Sequence, residues 1–191
     1  MTEATVPRRS DVTRAAILEA ARRHFAREGF GRATIRAIAA DAGIDPSMVI
    51  RYYGNKDGLF DAALNVDLGL PDLSAVAEDA LGETIARRFL ELWETAPGNE
   101  LLLALLRSSI SDDTAAQRFQ RVFAEQLMPM VTAVGDPADA PRRAGLVVSQ
   151  VLGLALCRYV LQLPPVVGLS RAQIVTTIGA TLQRYLTSSP S

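Results

Sequence analysis

The chain has 191 residues, 49% of them hydrophobic and 21% charged, with a net charge of −1, which excludes a disordered or fibrous protein and fits an ordinary globular one. A single cysteine, Cys157, excludes an internal disulfide framework and a cysteine-rich zinc site, and with no apolar leader at the N-terminus the expected compartment is the cytoplasm. The charge is uneven: residues 1–60 carry ten Lys and Arg against seven acids, while the rest carries an excess of acids, the pattern of a duplex-binding head on an acidic body.

Residues 1–9 (MTEATVPRR) show no periodicity and read as a flexible arm whose Arg8 and Arg9 can reach DNA. From Asp11 to Glu28, Ile17, Leu18, Ala20, Ala21 and Phe25 recur at helical spacing, and Gly29 is placed to end that helix. Thr34 offers an N-cap to a short helix with Ile35, Ile38 and Ala39 on its apolar face, ending near Ala42 before Gly43. Asp45-Pro46 restarts the helix: the carboxylate can accept the free N–H groups of the first turn, and proline has no donor to orphan there. This third helix runs to Tyr53, Gly54 stops it, and Asn55 can cap a fourth through Leu64.

Beyond Pro71 the pattern predicts helices over Leu73–Glu94, Glu100–Ser111, Thr114–Val134, Pro141–Leu163 and Arg171–Leu186, separated by proline and glycine clusters. No stretch alternates with a period of two, so the fold class is all-α, with about nine helices. The expected division is an arm (1–9), a helix-turn-helix domain (10–54) and a helical effector-binding and dimerisation domain (55–191). The apolar stretch Ala144–Leu163 is interrupted by Ser149, Gln150, Arg158 and Gln162, which favours a helix buried on several faces over a membrane span.

Two short helices joined through Ala42-Gly43-Ile44 have the spacing of a helix-turn-helix, whose second helix enters the major groove of double-stranded DNA. That helix presents Ser47, Met48, Arg51 and Tyr52 while Val49 and Tyr53, four apart, face the core. Arg51 can donate to guanine edges or phosphate, Tyr52 to phosphate, and Pro46 and Met48 can touch thymine methyls. The segment TIRAIAADAGIDPSMVIRYYGNKDGLFDAA, with the preceding AILEAARRHFAREGF, resembles the DNA-binding segment of the TetR family of bacterial transcriptional regulators. The resemblance implies phosphate contacts from Thr34, Tyr52 and Lys56, and base-edge roles for Arg36 and for Pro46, Ser47, Met48 and Arg51. It also implies a nine-helix homodimer whose variable C-terminal part binds a small effector. Ile50 departs from the family, which often has tyrosine there, leaving only apolar contact with a base or sugar. Arg36 and Arg51 also fit ordinary solvated helix positions.

Reading DNA with one short helix normally requires a two-fold partner and a palindromic operator. Gly145, Val148, Leu152, Leu156 and Tyr159 form one apolar stripe and Ile174, Ile178, Leu182 and Tyr185 another, enough for a four-helix interface between two chains; packing within one subunit is the competing explanation. Phe89, Trp93, Leu102, Leu106, Phe119 and Phe123 supply the apolar and aromatic surface for an effector pocket, although residues of this kind are more often core. The lone histidine, His24, lies in an arginine-rich stretch of the first helix, and no phosphate loop or metal-ligand spacing occurs, so no enzyme, cofactor or metal is expected. The reading is a dimeric, DNA-binding repressor released by a small apolar or amphipathic effector. The alternative is a DNA-binding adaptor whose body binds a protein and senses no small molecule.

Overall fold

The structure, a computed structural model, describes residues 8–64, 68–94, 99–110 and 113–188, which hold no β-strand. Most of the expected arm lies outside the described residues. The chain divides into two compact units, the first containing α1 (Arg9–Arg32), α2 (Ile35–Asp41), α3 (Pro46–Tyr53), α4 (Lys56–Leu64) and α6 (Asn99–Ser108). The second contains α5 (Leu81–Glu94), α7 (Asp113–Val122), α8 (Met128–Thr132), α9 (Ala140–Ala155), α10 (Pro164–Val167) and α11 (Arg171–Thr187).

The first unit closes around Ile17, Ala20, Ala21 and Phe25 of α1, Ile38 and Ala39 of α2, Val49 of α3, and Leu59, Phe60 and Ala63 of α4, all essentially inaccessible to solvent. Gly29 takes the left-handed φ of 76° expected of a helix end, but Phe30, Gly31 and Arg32 add a further turn beyond it. That turn brings Phe30 within 4.9 Å of the Phe60 ring, whose other neighbour is Phe25, edge-on at 4.5 Å. Three phenylalanines thus pack α1 against α4, and the Arg22 Nε–H, donating to the Ala63 carbonyl at 3.2 Å, ties α1 to the end of α4.

The second unit is built on the crossing of α5 and α11. Leu81, Ile85, Phe89 and Trp93 recur every four residues along the buried face of α5, and Ile174, Val175, Leu182 and Leu186 answer from α11. The two helices approach at a pair of glycines. A Cβ on Gly82 would overlap the Gly179 carbonyl oxygen and stand 2.5 Å from the Gln183 nitrogen, while one on Gly179 would meet the Glu83 backbone at 3.2 Å. Gln183 uses this closeness, accepting from the Gly82 N–H at 2.8 Å and donating to the Glu78 carbonyl at 2.6 Å. It supplies from a distant helix the cap that α5 lacks locally.

The helix expected over Leu73–Glu94 is therefore shorter. Two 3₁₀ turns, Leu73–Ala75 and Glu78–Ala80, precede α5, the first capped by Asp72, whose carboxylate accepts from the Ser74 N–H. The helix expected over Thr114–Val134 widens into a π turn at Phe123–Leu127 before α8. Pro129 accounts for this, because it has no N–H for the carbonyl four residues back and its ring would clash there. The helix expected to reach Leu163 ends instead in a π turn, Leu156–Val160, and Gln162 is turned to φ 51°. Pro164 and Pro165, expected only as breakers, also start the short α10, since proline suits a first helical turn. With α7 and α8 counted as one helix through their π turn, α10 makes ten among the described residues where about nine were expected.

Replacing Gly82 with alanine should therefore cost the body about 1–3 kcal/mol through overpacking, read from the urea midpoint. Gly153 sits mid-helix with open space around its Cβ position, so Gly153→Ala should add about 0.5–1 kcal/mol instead. Equal effects at the two sites would refute the glycine crossing.

Candidate nucleic-acid interface

The α2–turn–α3 geometry follows from three local devices. The Thr34 hydroxyl oxygen accepts from the Ala37 N–H at 3.2 Å, capping α2 and leaving its own proton free to donate. Gly43 then takes φ 66°, which lets the Ile44 N–H return to the Ala39 carbonyl at 2.9 Å and reverses the chain. Asp45 caps α3: one carboxylate oxygen accepts from the Ser47 N–H at 2.8 Å and from its hydroxyl at 2.5 Å. The Ser47 hydroxyl bond, and secondarily the Ser47 backbone bond, hold the Asp45 carboxyl below its usual range.

Along α3, Val49 is fully buried. Tyr53 is half-buried and its hydroxyl donates to the Arg14 carbonyl at 3.2 Å, fastening the end of α3 to the beginning of α1. Burial pushes the Tyr53 phenol up, so it remains the neutral donor this bond requires. The opposite face presents Ser47 and Arg51 as exposed residues and Pro46, Met48 and Tyr52 as half-buried ones. Ile50 is 51% exposed in the middle of this face, an unusual place for a large aliphatic side chain and the position where the sequence pattern departs from the family. Ser47 is changed in character by its bond to Asp45: with its proton given away, its oxygen is left as an acceptor.

Arg36 on α2 is exposed, and neither Arg36 nor Arg51 forms an ion pair with a described residue, whereas neighbouring Arg23 is bound to Asp41 at 2.9 Å. That bond holds the Asp41 carboxyl down and raises Arg23. His24 is also committed locally, 2.9 Å from Glu28 and 3.7 Å from Asp41. Lys56 is less free than its sequence position suggests. Its ammonium donates to the Gly31 carbonyl at 3.2 Å and stands 4.5 Å from the Phe30 ring centre, so it also fastens the start of α4 to the last turn of α1.

The body residues separate differently from the sequence expectation. Leu102 and Leu106 are buried in α6 of the first unit, while Phe89 and Trp93 belong to α5 of the second and Phe119 and Phe123 to α7 and its π turn. Trp93 lies parallel to Tyr159 at 5.6 Å with Phe89 beside both, so Tyr159, expected at a dimer interface, also stands against two of the expected pocket residues. Its hydroxyl donates to Glu94 at 3.1 Å, and burial followed by the Glu94 charge pushes its pKa up to about 12. Glu94 also receives Arg158 and Arg171, at 3.2 and 2.7 Å.

Ile174 and Leu182 are wholly buried within the chain, which makes them core of the α5–α11 layer and removes them from a subunit surface. Gly145, Val148, Leu152 and Leu156 are half-exposed, as are Ile178 and Tyr185. Helix α9 is thus not buried on several faces: Ala140, Arg143, Ala144, Val147, Leu154 and Ala155 are covered and the rest of its apolar surface is not. Although the continuous helical stretch Pro137–Val160, of which α9 is the middle, is long and apolar enough to cross a membrane, one such stretch is weak support for a span. A groove of about 470 Å³ opens elsewhere in the second unit, between Leu73, Glu78, Asp136, Arg143 and Leu186, and none of the six expected effector residues lines it. Arg143 was not singled out in the sequence. It is 2% exposed and donates to the carbonyls of Val134, Asp136 and Leu186, so only the fold reveals its role in holding the turn at Gly135.

The sequence profile of bacterial regulatory proteins of the tetR family matches residues 17–63, which are most of α1 to α4, and that of the tetracyclin repressor-like C-terminal domain matches residues 79–186. The chain belongs to the TetR family. An HTH-type transcriptional repressor of Streptomyces coelicolor is 44% identical to this TetR-family chain over 54 residues, 28% of each protein, so the match spans little more than a quarter of that relative's length. A TetR-family regulator of the same organism superposes over 97% of this chain and 99% of its own, with a TM-score of 0.61 and 29% identity. The multidrug binding protein EbrR, solved with imidazole, shares the fold with a TM-score of 0.67 at 22% identity, covering 99% and 98% of the two chains. A SmeT–triclosan complex does so at 0.68 and 19%, covering 90% of each.

The cap gives a pH test of this TetR-family head. A depressed carboxyl pKa stabilises the fold above the ordinary value of 3.8 and the contribution disappears as pH falls through the lower folded value. Asp45→Asn should therefore lower the urea midpoint at pH 7, with the difference from the parent closing below about pH 3.8. A difference independent of pH would mean that the carboxylate charge does not act at the cap.

Proposed function

We propose that this TetR-family protein is a dimeric repressor that binds a palindromic DNA operator and leaves it when a small apolar or amphipathic effector binds. The observation carrying the DNA part is the outer face of α3, where Ser47, Ile50 and Arg51 stand exposed on a helix fixed at both ends. In this reading Arg51, Ser47, Met48 and Pro46 meet base edges together with Arg36, while Thr34, Tyr52 and Lys56 hold phosphates. Thr34 keeps its hydroxyl proton for that purpose. Lys56 reaches a phosphate only by sharing or leaving its bond to Gly31. The helix-turn-helix of residues 10–54 reads the duplex, and the helices after residue 55 supply dimerisation and effector binding.

The dimer is supported by the half-exposed apolar residues of α9, Gly145, Val148, Leu152 and Leu156, with Ile178 and Tyr185 of α11 at their side. Removing such surface from water contributes about 25 cal/mol per Å². The effector is supported by the company of EbrR and SmeT, whose structures were solved with imidazole and triclosan. Within the second unit, the aromatic group of Phe89, Trp93 and Tyr159 supplies surface and the 470 Å³ groove supplies room for one. The adaptor reading has one observation in its favour: Leu161, Leu163 and Val167 are 55%, 41% and 46% exposed in the segment between α9 and α11 that includes α10.

Selection of bound duplexes from a random-sequence pool should return inverted repeats with half-site centres about 34–36 Å apart or a multiple of this. Arg51→Ala should weaken binding to the selected duplex more than to random DNA, by roughly 1–3 kcal/mol of lost discrimination. Equal losses would remove Arg51 from base reading. Sedimentation should give a dimer at micromolar concentration and Leu152→Arg a monomer with weakened operator binding; a monomeric parent would end the dimer proposal.

A further inference from the structure

We infer that Arg14, on α1 rather than on the α2–turn–α3 pair, is a DNA-contacting residue that meets the same phosphate as Tyr52 and at the same time steadies that tyrosine. This rests on the DNA-binding reading above and adds a residue to it. Three observations place Arg14 there. Its guanidinium carbon lies 5.0 Å from the centre of the Tyr52 ring, a cation–π distance. Its main-chain carbonyl is the acceptor for the Tyr53 hydroxyl, so this turn of α1 is fastened to the last turn of α3. The side chain is exposed and forms no ion pair with a described residue, although α1 contains Asp11, Glu19 and Glu28.

The chemistry follows from the shape of the group. A guanidinium over an aromatic ring satisfies its face while its five N–H donors remain available at the edge. Tyr52 adds a phenol at the end of the same ring, and its hydroxyl has no bond to a described residue. One planar cation and one phenol side by side make a two-point receptor for a phosphate oxygen pair. Stacking also restricts the Tyr52 ring before DNA arrives, lowering the ordering cost of its contact. The nearby Tyr53 has a different task, because its hydroxyl is consumed by the Arg14 carbonyl and acts on the angle of α3 alone.

This division makes the test clean. Arg14→Ala removes the guanidinium but keeps the carbonyl that anchors Tyr53, whereas Tyr53→Phe removes the anchor and keeps the cation. With the full-length protein, affinity is measured across a salt series for the selected duplex and for a random-sequence duplex. Arg14→Ala should weaken both by similar factors and reduce the slope of log affinity against log salt by about one, with an unchanged urea midpoint. Arg14→Lys should keep the slope, and Tyr53→Phe should keep it while reducing preference for the selected duplex. The losses from Arg14→Ala and Tyr52→Ala should combine to less than their product, as two groups on one phosphate require. A parental slope in Arg14→Ala, or fully multiplicative losses, would overturn the inference while leaving the DNA-binding reading in place. A parent that binds neither duplex would overturn that reading itself.

Discussion

An eight-residue helix cannot hold itself together in water, so everything this protein does with DNA depends on how α3 is fixed at its two ends. At the first end Asp45 takes the free N–H of Ser47, and Pro46 removes a donor that would otherwise go unsatisfied. At the other, Gly54 lets the chain turn away and Tyr53 reaches across to the Arg14 carbonyl. Val49 is the only residue of α3 fully withdrawn from solvent, which frees the remaining surface for a partner. These constraints explain why an apolar Ile50 can stand in the open: the helix gains its stability elsewhere.

The same economy governs the residues around it. Thr34 serves as a cap while keeping a proton to donate, and Ser47 serves Asp45 while keeping an oxygen to accept. Lys56 grips Gly31 and Phe30, and Arg23 and His24 are occupied with Asp41 and Glu28. Arg14, Arg36 and Arg51, one on each of α1, α2 and α3, form no ion pair with a described residue. In the second unit charge is used differently. Arg143 and Arg158 are turned inward on main-chain carbonyls, where they hold turns in place.

What could be read from residues alone was whatever acts over a few positions. Asp45-Pro46, Gly43, Gly54, Thr34 and Asn55 each satisfy or release a neighbouring backbone group, so the sequence alone determined the four helices of the head, its turn and the surface of α3. The all-helical body was legible for the same reason, through apolar spacing and proline and glycine breaks. Only the tertiary structure decided matters that join distant residues. Gln183 bonds the first turn of α5 from 101 positions away, and the helix predicted from Leu73 starts at Leu81 after two 3₁₀ turns. Gly82 and Gly179 are ordinary helical glycines until two helices cross at them. Ile174 and Leu182 share a stripe with Ile178 and Tyr185, yet burial against α5 takes the first pair into the core, because periodicity reports an apolar face without naming what covers it. Arg14 belongs to the same class: its spacing on α1 is that of any solvated arginine, and only the fold sets it over Tyr52.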